Sequence, residues 1–415
     1  MTTPRRARLR GGSPSRHPGR AATTSGPSAD SASGGLSASL HRVGQLRIPE
    51  LLLFFALIFE TSFGLPLPAN YLVILAILVL AMTRKPQFDL GRMQFLIPLL
   101  VVGLFYIGMV SMFSDPTEFA ADWKRRIIRM MLTAALLFVM ASGRIHMRSA
   151  LTGFGAGLAV NAVAFYAGFA PDHYGGVLSG FFEDKNVAGL AYAAVGVLMV
   201  SLSSRPVPRV LLFLGFGVLV YLTDSRTSMT AYAAAALWML IAPRLPLLGR
   251  WLLGGLIWVA VVVASEDFSR IGRFSEREGS DLLRSRIDAA SEIKVGQAGF
   301  FGNGLGEAYV YFDADRSTWY FHNSYWTTLV EGGWPWAVLL VGMTVAIGLR
   351  PFAGKLTSHE VIAQAATIAT LICAWRLGEV LFTMQWAIIM AFALQARLVA
   401  DGAIREQQSG VGRKT

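Results

Sequence analysis

Cysteine and charge are the two things this sequence has least of. A single cysteine, Cys373, sits inside an apolar run. That excludes an internal disulfide and any zinc or iron–sulfur site built on cysteine. Only 15% of the 415 residues are charged, against 54% hydrophobic, and the mean hydropathy is +0.50. A soluble core stops growing at a few hundred residues and cannot hide so much apolar surface. No acidic cluster with metal-ligand spacing occurs in the polar connections, so neither a metal nor another cofactor is expected. No basic–aromatic module is present either. The net charge of +11 therefore reads as basic loops beside a membrane, with no nucleic-acid partner expected.

What the chain does have is a series of apolar runs of roughly 16 to 22 residues, the helix length that crosses a bilayer. About twelve can be marked, near 48–65, 67–83, 94–113, 126–142, 150–170, 186–204, 207–223, 227–243, 249–265, 333–349, 360–381 and 383–398. The expected fold is an all-α polytopic membrane protein with about twelve transmembrane helices. Residues 1–45 are rich in Ser, Gly, Pro and Arg and read as a disordered cytoplasmic tail. Helices one to nine occupy 46–265. A large extracytoplasmic stretch follows over 266–332, then the last three helices over 333–400 and a cytoplasmic tail over 401–415. Alternate connections, such as SSRPVPR at 203–209 and LRPFAGK at 349–355, collect Lys and Arg. This bias places both termini in the cytoplasm. Tight turns near Pro66 and Phe382 fit a re-entrant pair as well.

Against that layout, basic residues on the outer face stand out. Lys124, Arg125 and Arg126 mark the outer mouth of the fourth run, with Arg129 a turn deeper. Lys185 and Asn186 open the sixth, and Arg226 lies in the tight turn TDSRTSM. The outer stretch adds Arg270, Arg273, Arg277, Arg284, Arg286 and Lys294. Arginine forks of this kind suit a phosphate or diphosphate carried at the lipid edge. The alternative is that they pair with the loop acids Glu266, Asp267, Glu276, Glu278, Asp281 and Asp288. Of six histidines only His173 and His322 face outward in this layout. An imidazole titrates near neutral pH without tuning, so His322 is the candidate base; it equally suits a cap for the helix starting near Ser324. Arg376 and Glu379, three apart, are expected to pair with each other.

HNSYWTTLVEGGWPW then resembles the signature of the bacterial O-antigen ligase and O-antigen polymerase superfamily: His, then Asn, Ser or Gln, nine residues, Gly, two residues, and Gly, Thr or Tyr. Here these are His322, Asn323, Gly333 and Trp336, the last departing from the pattern. TDSRTSM is similar to that superfamily's Ser-Arg-Thr segment. Arg286 ahead of Gly302 resembles the polymerases' arginine-to-glycine element, and FFGNGLG their glycine-rich turn. GFFEDKNVAGLAYA looks like the Lys-Asn segment of the exopolysaccharide polymerase branch.

The resemblance implies a GT-C-like helical fold in a bacterial inner membrane. It implies transfer of a glycan from an undecaprenyl-diphosphate donor to a hydroxyl of an acceptor glycan or glycolipid. His322, Arg286 and Arg226 would be catalytic, with Asn323, Lys185, Asn186, Arg125, Arg126, Gly302 and Tyr325 contacting substrate. Trp319, Tyr320, Tyr325 and Trp326 suit either sugar stacking or interfacial anchoring. A competing class is a polytopic transporter or flippase of lipid-linked oligosaccharides. The absence of a visible internal repeat counts against it.

Overall fold

The computed structural model describes residues 46–60, 68–267, 278–314 and 316–411, with side chains described over 46–60, 68–263, 282–314 and 316–402. The expected tail over 1–45, the turn at Pro66, and Arg270, Arg273 and Arg277 lie outside the described residues.

Each of the twelve apolar runs carries a helix. In order these are α1 Ile48–Ala56, α2 Ala69–Met82, α3 Leu96–Phe113, α4 Trp123–Ala141, α5 Met147–Tyr166 and α6 Lys185–Leu202. Then come α7 Pro206–Leu222, α8 Arg226–Ile241 and α9 Leu247–Asp267. The polar stretch is not structureless. It holds an additional helix, α10 (Glu278–Gln297), and a hairpin of β1 (Tyr309–Phe312) and β2 (Ser317–Tyr320) in antiparallel register, Tyr309 opposite Tyr320. The chain returns through α11 (Ser324–Thr344), α12 (Ser358–Arg376) and α13 (Met384–Val411).

Among the described residues four helical stretches are long and apolar enough to cross a membrane: Gly91–Phe113, Met147–Tyr166, Lys185–Leu202 and Ser324–Leu349. Ala69–Met82, Pro206–Leu222 and Leu247–Val263 are apolar but shorter. The protein is a mostly helical, multi-pass membrane protein. Large apolar side chains such as Val102, Phe105, Leu211, Leu214, Leu252 and Leu256 stand exposed along α3, α7 and α9. Apolar surface of that extent is stable against lipid but not against water.

The centre of the bundle is α12, buried on every side from Glu360 to Thr370, as a helix without a polar face must be. It packs on α8 and α13, while α1 lies along α5. Small residues allow these crossings: a Cβ on Gly153 would strike the Leu51 carbonyl, and one on Gly189 the Ser228 hydroxyl. Close approach of this kind replaces the hydrophobic drive that lipid removes. Outside the bundle, Ile287 of α10 makes a small second core with Val310, Phe321 and Val330. That core seats α10 and the hairpin on the first turns of α11.

Candidate functional site

The site is organised by a break in α11. Gly333 has φ 64° and ψ −165° within the helix, a combination open essentially to glycine alone. The break frees carbonyls that lipid would leave unsatisfied, and the segment FFGNGLG supplies the missing partners. Asn303 N donates to Val330 O (2.7 Å), Gly304 N to Glu331 O (2.9 Å), and Trp334 N to Phe300 O (3.0 Å). The Tyr106 hydroxyl donates to the Gly332 carbonyl at 2.8 Å. Gly302, at φ 81°, lies so close that a Cβ would press on the Gly333 amide. Gly302, expected at the substrate, is thus in contact with helix backbone. Pro335 falls in the first turn of the second half-helix, where a missing N–H does no harm. Trp336 is buried against Phe382.

His322 stands just ahead of this helix. Asn323 caps it, its Oδ1 accepting from Tyr325 N (2.9 Å) and Trp326 N (3.3 Å); such a cap stabilises a helix start by about 1 kcal/mol. Ser324 Oγ lies 2.8 Å from the Leu377 carbonyl and accepts from Val380 N at 3.0 Å. The Tyr325 hydroxyl donates to Leu371 O at 2.8 Å. Asn323, expected at the substrate, therefore caps α11, and Tyr325, also expected there, ties that helix to α12. A Cβ on Gly378 would strike the Phe321 carbonyl, so the loop after α12 passes directly behind the histidine.

The imidazole itself is half-buried, and its buried Nδ1 has no partner among the described residues. Burial, followed by the positive charge of Arg284, pushes its pKa down to about 4, with Asp184 pulling the other way. With that pKa the ring is neutral at pH 7, and the charges acting on it belong to a guanidinium on α10 and a carboxylate at the head of α6. Asp184 is fixed as the cap of α6, its Oδ1 accepting from Asn186 N at 2.6 Å. Lys185, beside it, lies 5.5 Å over the Tyr174 ring. The head of α8 adjoins the same end, because Ser225 and Ser228 crowd Gly189. Arg226, half-buried, opens that helix.

Arg286 is exposed with its guanidinium 4.9 Å over the Phe312 ring, while it is Arg284 whose charge acts on His322. Positions two apart on a helix face nearly opposite ways. Asp288, one turn beyond Arg284, sits 3.6 Å from Arg376. Its pKa is raised by burial, with Arg376 and Arg284 opposing. The expected pairing of Arg376 with Glu379 is corrected here. Helix α12 ends at Arg376, Leu377 is extended at φ −126° and ψ 141°, and Glu379 turns to the other side.

There Glu379 meets Arg126, which also reaches Glu331 at 3.0 Å. Arg126 holds the Glu379 carboxyl below its ordinary range. These three, with Tyr71, Arg129 and Thr327, line a small open pocket. Arg125 points elsewhere, exposed and 3.3 Å from Asp122. The expected basic triplet thus diverges, and Arg126 is already matched by two carboxylates. Pairing with acids also accounts for Lys294, 3.3 Å from Glu307; burial lowers the lysine's pKa, with Glu307 opposing.

Sequence reasoning missed Asp184, offered Asp288 only as a pairing acid for the outer arginines, and placed Arg284 among the phosphate candidates without singling it out. The Arg284–Asp288 spacing of four on a helix was the available signal. Comparison of the chain with models of known protein families, and with curated proteins, finds no match.

Proposed function

We propose that the protein is a glycosyltransferase of the O-antigen ligase and polymerase type. It moves a glycan from an undecaprenyl-diphosphate carrier to a sugar hydroxyl on the outer face of a bacterial inner membrane. In this reading all twelve helices span, the fold is GT-C-like, and both termini are cytoplasmic. One observation carries the proposal: a neutral, half-buried imidazole with an unpartnered Nδ1, set at the head of a broken helix and flanked by the charges of Arg284 and Asp184.

The chemistry follows from those groups. His322 accepts the proton of the acceptor hydroxyl as its oxygen forms a bond to the anomeric carbon. The bond from that carbon to the diphosphate oxygen breaks, and the carrier leaves with the electron pair. Guanidinium groups stabilise the charge that develops there without any metal. Arg284 is the nearest candidate for the diphosphate, with Arg226 and Arg286 as its outer partners and Lys185 beside Asp184. The outer aromatics then pack against sugar faces or the headgroup layer.

The test is transfer by purified protein in detergent, with lipid-linked donor and acceptor and no gradient. Formation of a glycosidic product that needs His322 is the expected result. Near wild-type turnover by His322→Ala would remove the base assignment.

A second reading, a transporter of the same lipids, is favoured by one feature. The broken α11 carries Glu331 against Arg126 inside the bundle, and transporters use broken helices with ionisable groups. The same assay separates the two, because a transporter in detergent joins nothing.

A further inference from the structure

At the opposite end of the bundle from the site, connections 243–250 and 349–355 meet, and a charge lies buried there with no carboxylate partner among the described residues. Arg250, at the start of α9, is only 5% exposed. Its Nη2 donates to the carbonyls of Ala353 and Gly354, and its Nε, fully buried, has no partner. Among the described residues no carboxylate pairs with it. Arg350 nearby is different, since Glu360 and Asp401 both engage it. A buried guanidinium with only carbonyls for company keeps its whole positive charge, which is costly in a low-dielectric setting.

Arg250 lines a groove between α9, the end of α11 and α12, an open channel with about 900 Å3 of empty space. Trp251, Trp258, Ile257, Ile368 and Leu371 form its walls. Trp251 donates its indole N–H to Pro351 O at 3.1 Å, and its ring meets Phe352, which is 81% exposed. Exposed aromatics beside exposed Arg244 and Lys355 mark a headgroup-level edge rather than mid-membrane. The groove therefore joins an apolar trough to a cation that no carboxylate pairs with among the described residues.

We infer that this groove binds an anionic phospholipid, its acyl chain along Trp258 and Leu371 and its phosphate against Arg250. The match is one of charge and shape. A phosphate oxygen supplies the acceptor that Nε lacks and the negative charge the guanidinium lacks. Basic pockets between helices at the cytoplasmic edge take acidic headgroups in this way. A zwitterionic lipid offers the same chain but cancels its own phosphate, so it binds more weakly. This site is independent of the proposed transferase chemistry.

The experiment uses the full chain in detergent, with thermal unfolding and native mass spectrometry as readouts. Phosphatidylglycerol is added in one arm, phosphatidylcholine in another and inorganic phosphate in a third. Phosphatidylglycerol is expected to raise Tm, by mass action on the folded state, and to remain bound in the gas phase. Phosphatidylcholine should give a much smaller shift and free phosphate none. Two variants locate the site. Gly255→Leu fills the groove where a Cβ meets nothing within 4 Å, and it should fold normally while losing the response. Arg250→Gln keeps an amide donor for the two carbonyls and removes the charge, so it should respond equally to both lipids. Equal shifts from both lipids in the wild type, a shift from phosphate alone, or a full response in Gly255→Leu overturns the assignment. Should Arg250→Gln not fold, Gly255→Leu alone decides.

Discussion

Two charged clusters flank the head of α11, and they are built on opposite plans. Around Arg126 every charge has an answer: Glu331 and Glu379 close on one guanidinium, and Glu331 Oε1 also accepts from Gly306 N at 3.0 Å. Around His322 an imidazole nitrogen is left unpartnered beside a guanidinium. A closed cluster fixes structure. An open one holds its polar atoms ready for a ligand, and the loss of stability from an unmet group is tolerated where binding repays it.

The largest effect should come from the open side. His322→Ala is expected to lower glycan transfer by about 10²–10⁴-fold, the range for a positioned base, while Tm and membrane insertion stay near wild type. The closed side should behave in reverse. Arg126→Ala strands Glu331, which is only 3% exposed, and should destabilise the fold by about 3–5 kcal/mol. Converting Glu331 and Glu379 to glutamine in the same chain should recover most of that loss in a thermal-unfolding assay. If His322→Ala destabilised and Arg126→Ala merely slowed transfer, the two clusters would have to exchange roles.

A finer cut separates two arginines on one helix. Arg284→Ala should cost about 1–3 kcal/mol in kcat/KM, typical of a charge-assisted contact. Arg286→Ala should cost less, because its guanidinium rests on Phe312. Equal losses would return Arg286 to the centre of the site.

That pair also shows how far the sequence could be read. Apolar run length located the helices, four of them among the described residues long and apolar enough to cross a membrane, because hydropathy marks the segments that lipid accepts. Gly333 was singled out too, although the physical need for a glycine there, a positive φ with Phe300 O against the Cβ position, was not legible. Between 266 and 321 the rule gives nothing, since polar composition cannot distinguish a loop from an amphipathic helix on a satellite core. Without α10 its phase was unknown, and Arg286 was chosen on spacing where it is the charge of Arg284 that acts on His322. The Arg376–Glu379 pairing failed for a related reason. It assumed a helix that continues, and α12 stops between them. Asp184 was hidden because a capping carboxylate and a functional one look identical in sequence.

The smallest expected effect is in pH, and it tests whether the open cluster is as electrostatically exposed as it looks. Burial and Arg284 hold the folded-state pKa of His322 near 4, against about 6.5 in an unfolded chain. The folded state thus prefers the neutral ring. Its contribution to stability is present above pH 6.5 and fades as pH falls toward 4, by about 3 kcal/mol in all. The difference in Tm between wild type and His322→Gln should therefore shift in favour of the variant across that window, and no further below it. A bound diphosphate offsets the charge of Arg284 and should raise the same pKa. The acid limb of kcat should then lie at higher pH than that of kcat/KM, since the first reports the complex and the second the free enzyme. Coincident limbs would mean that the anion and the imidazole do not share a site, and would break the contrast between the open cluster and the closed one.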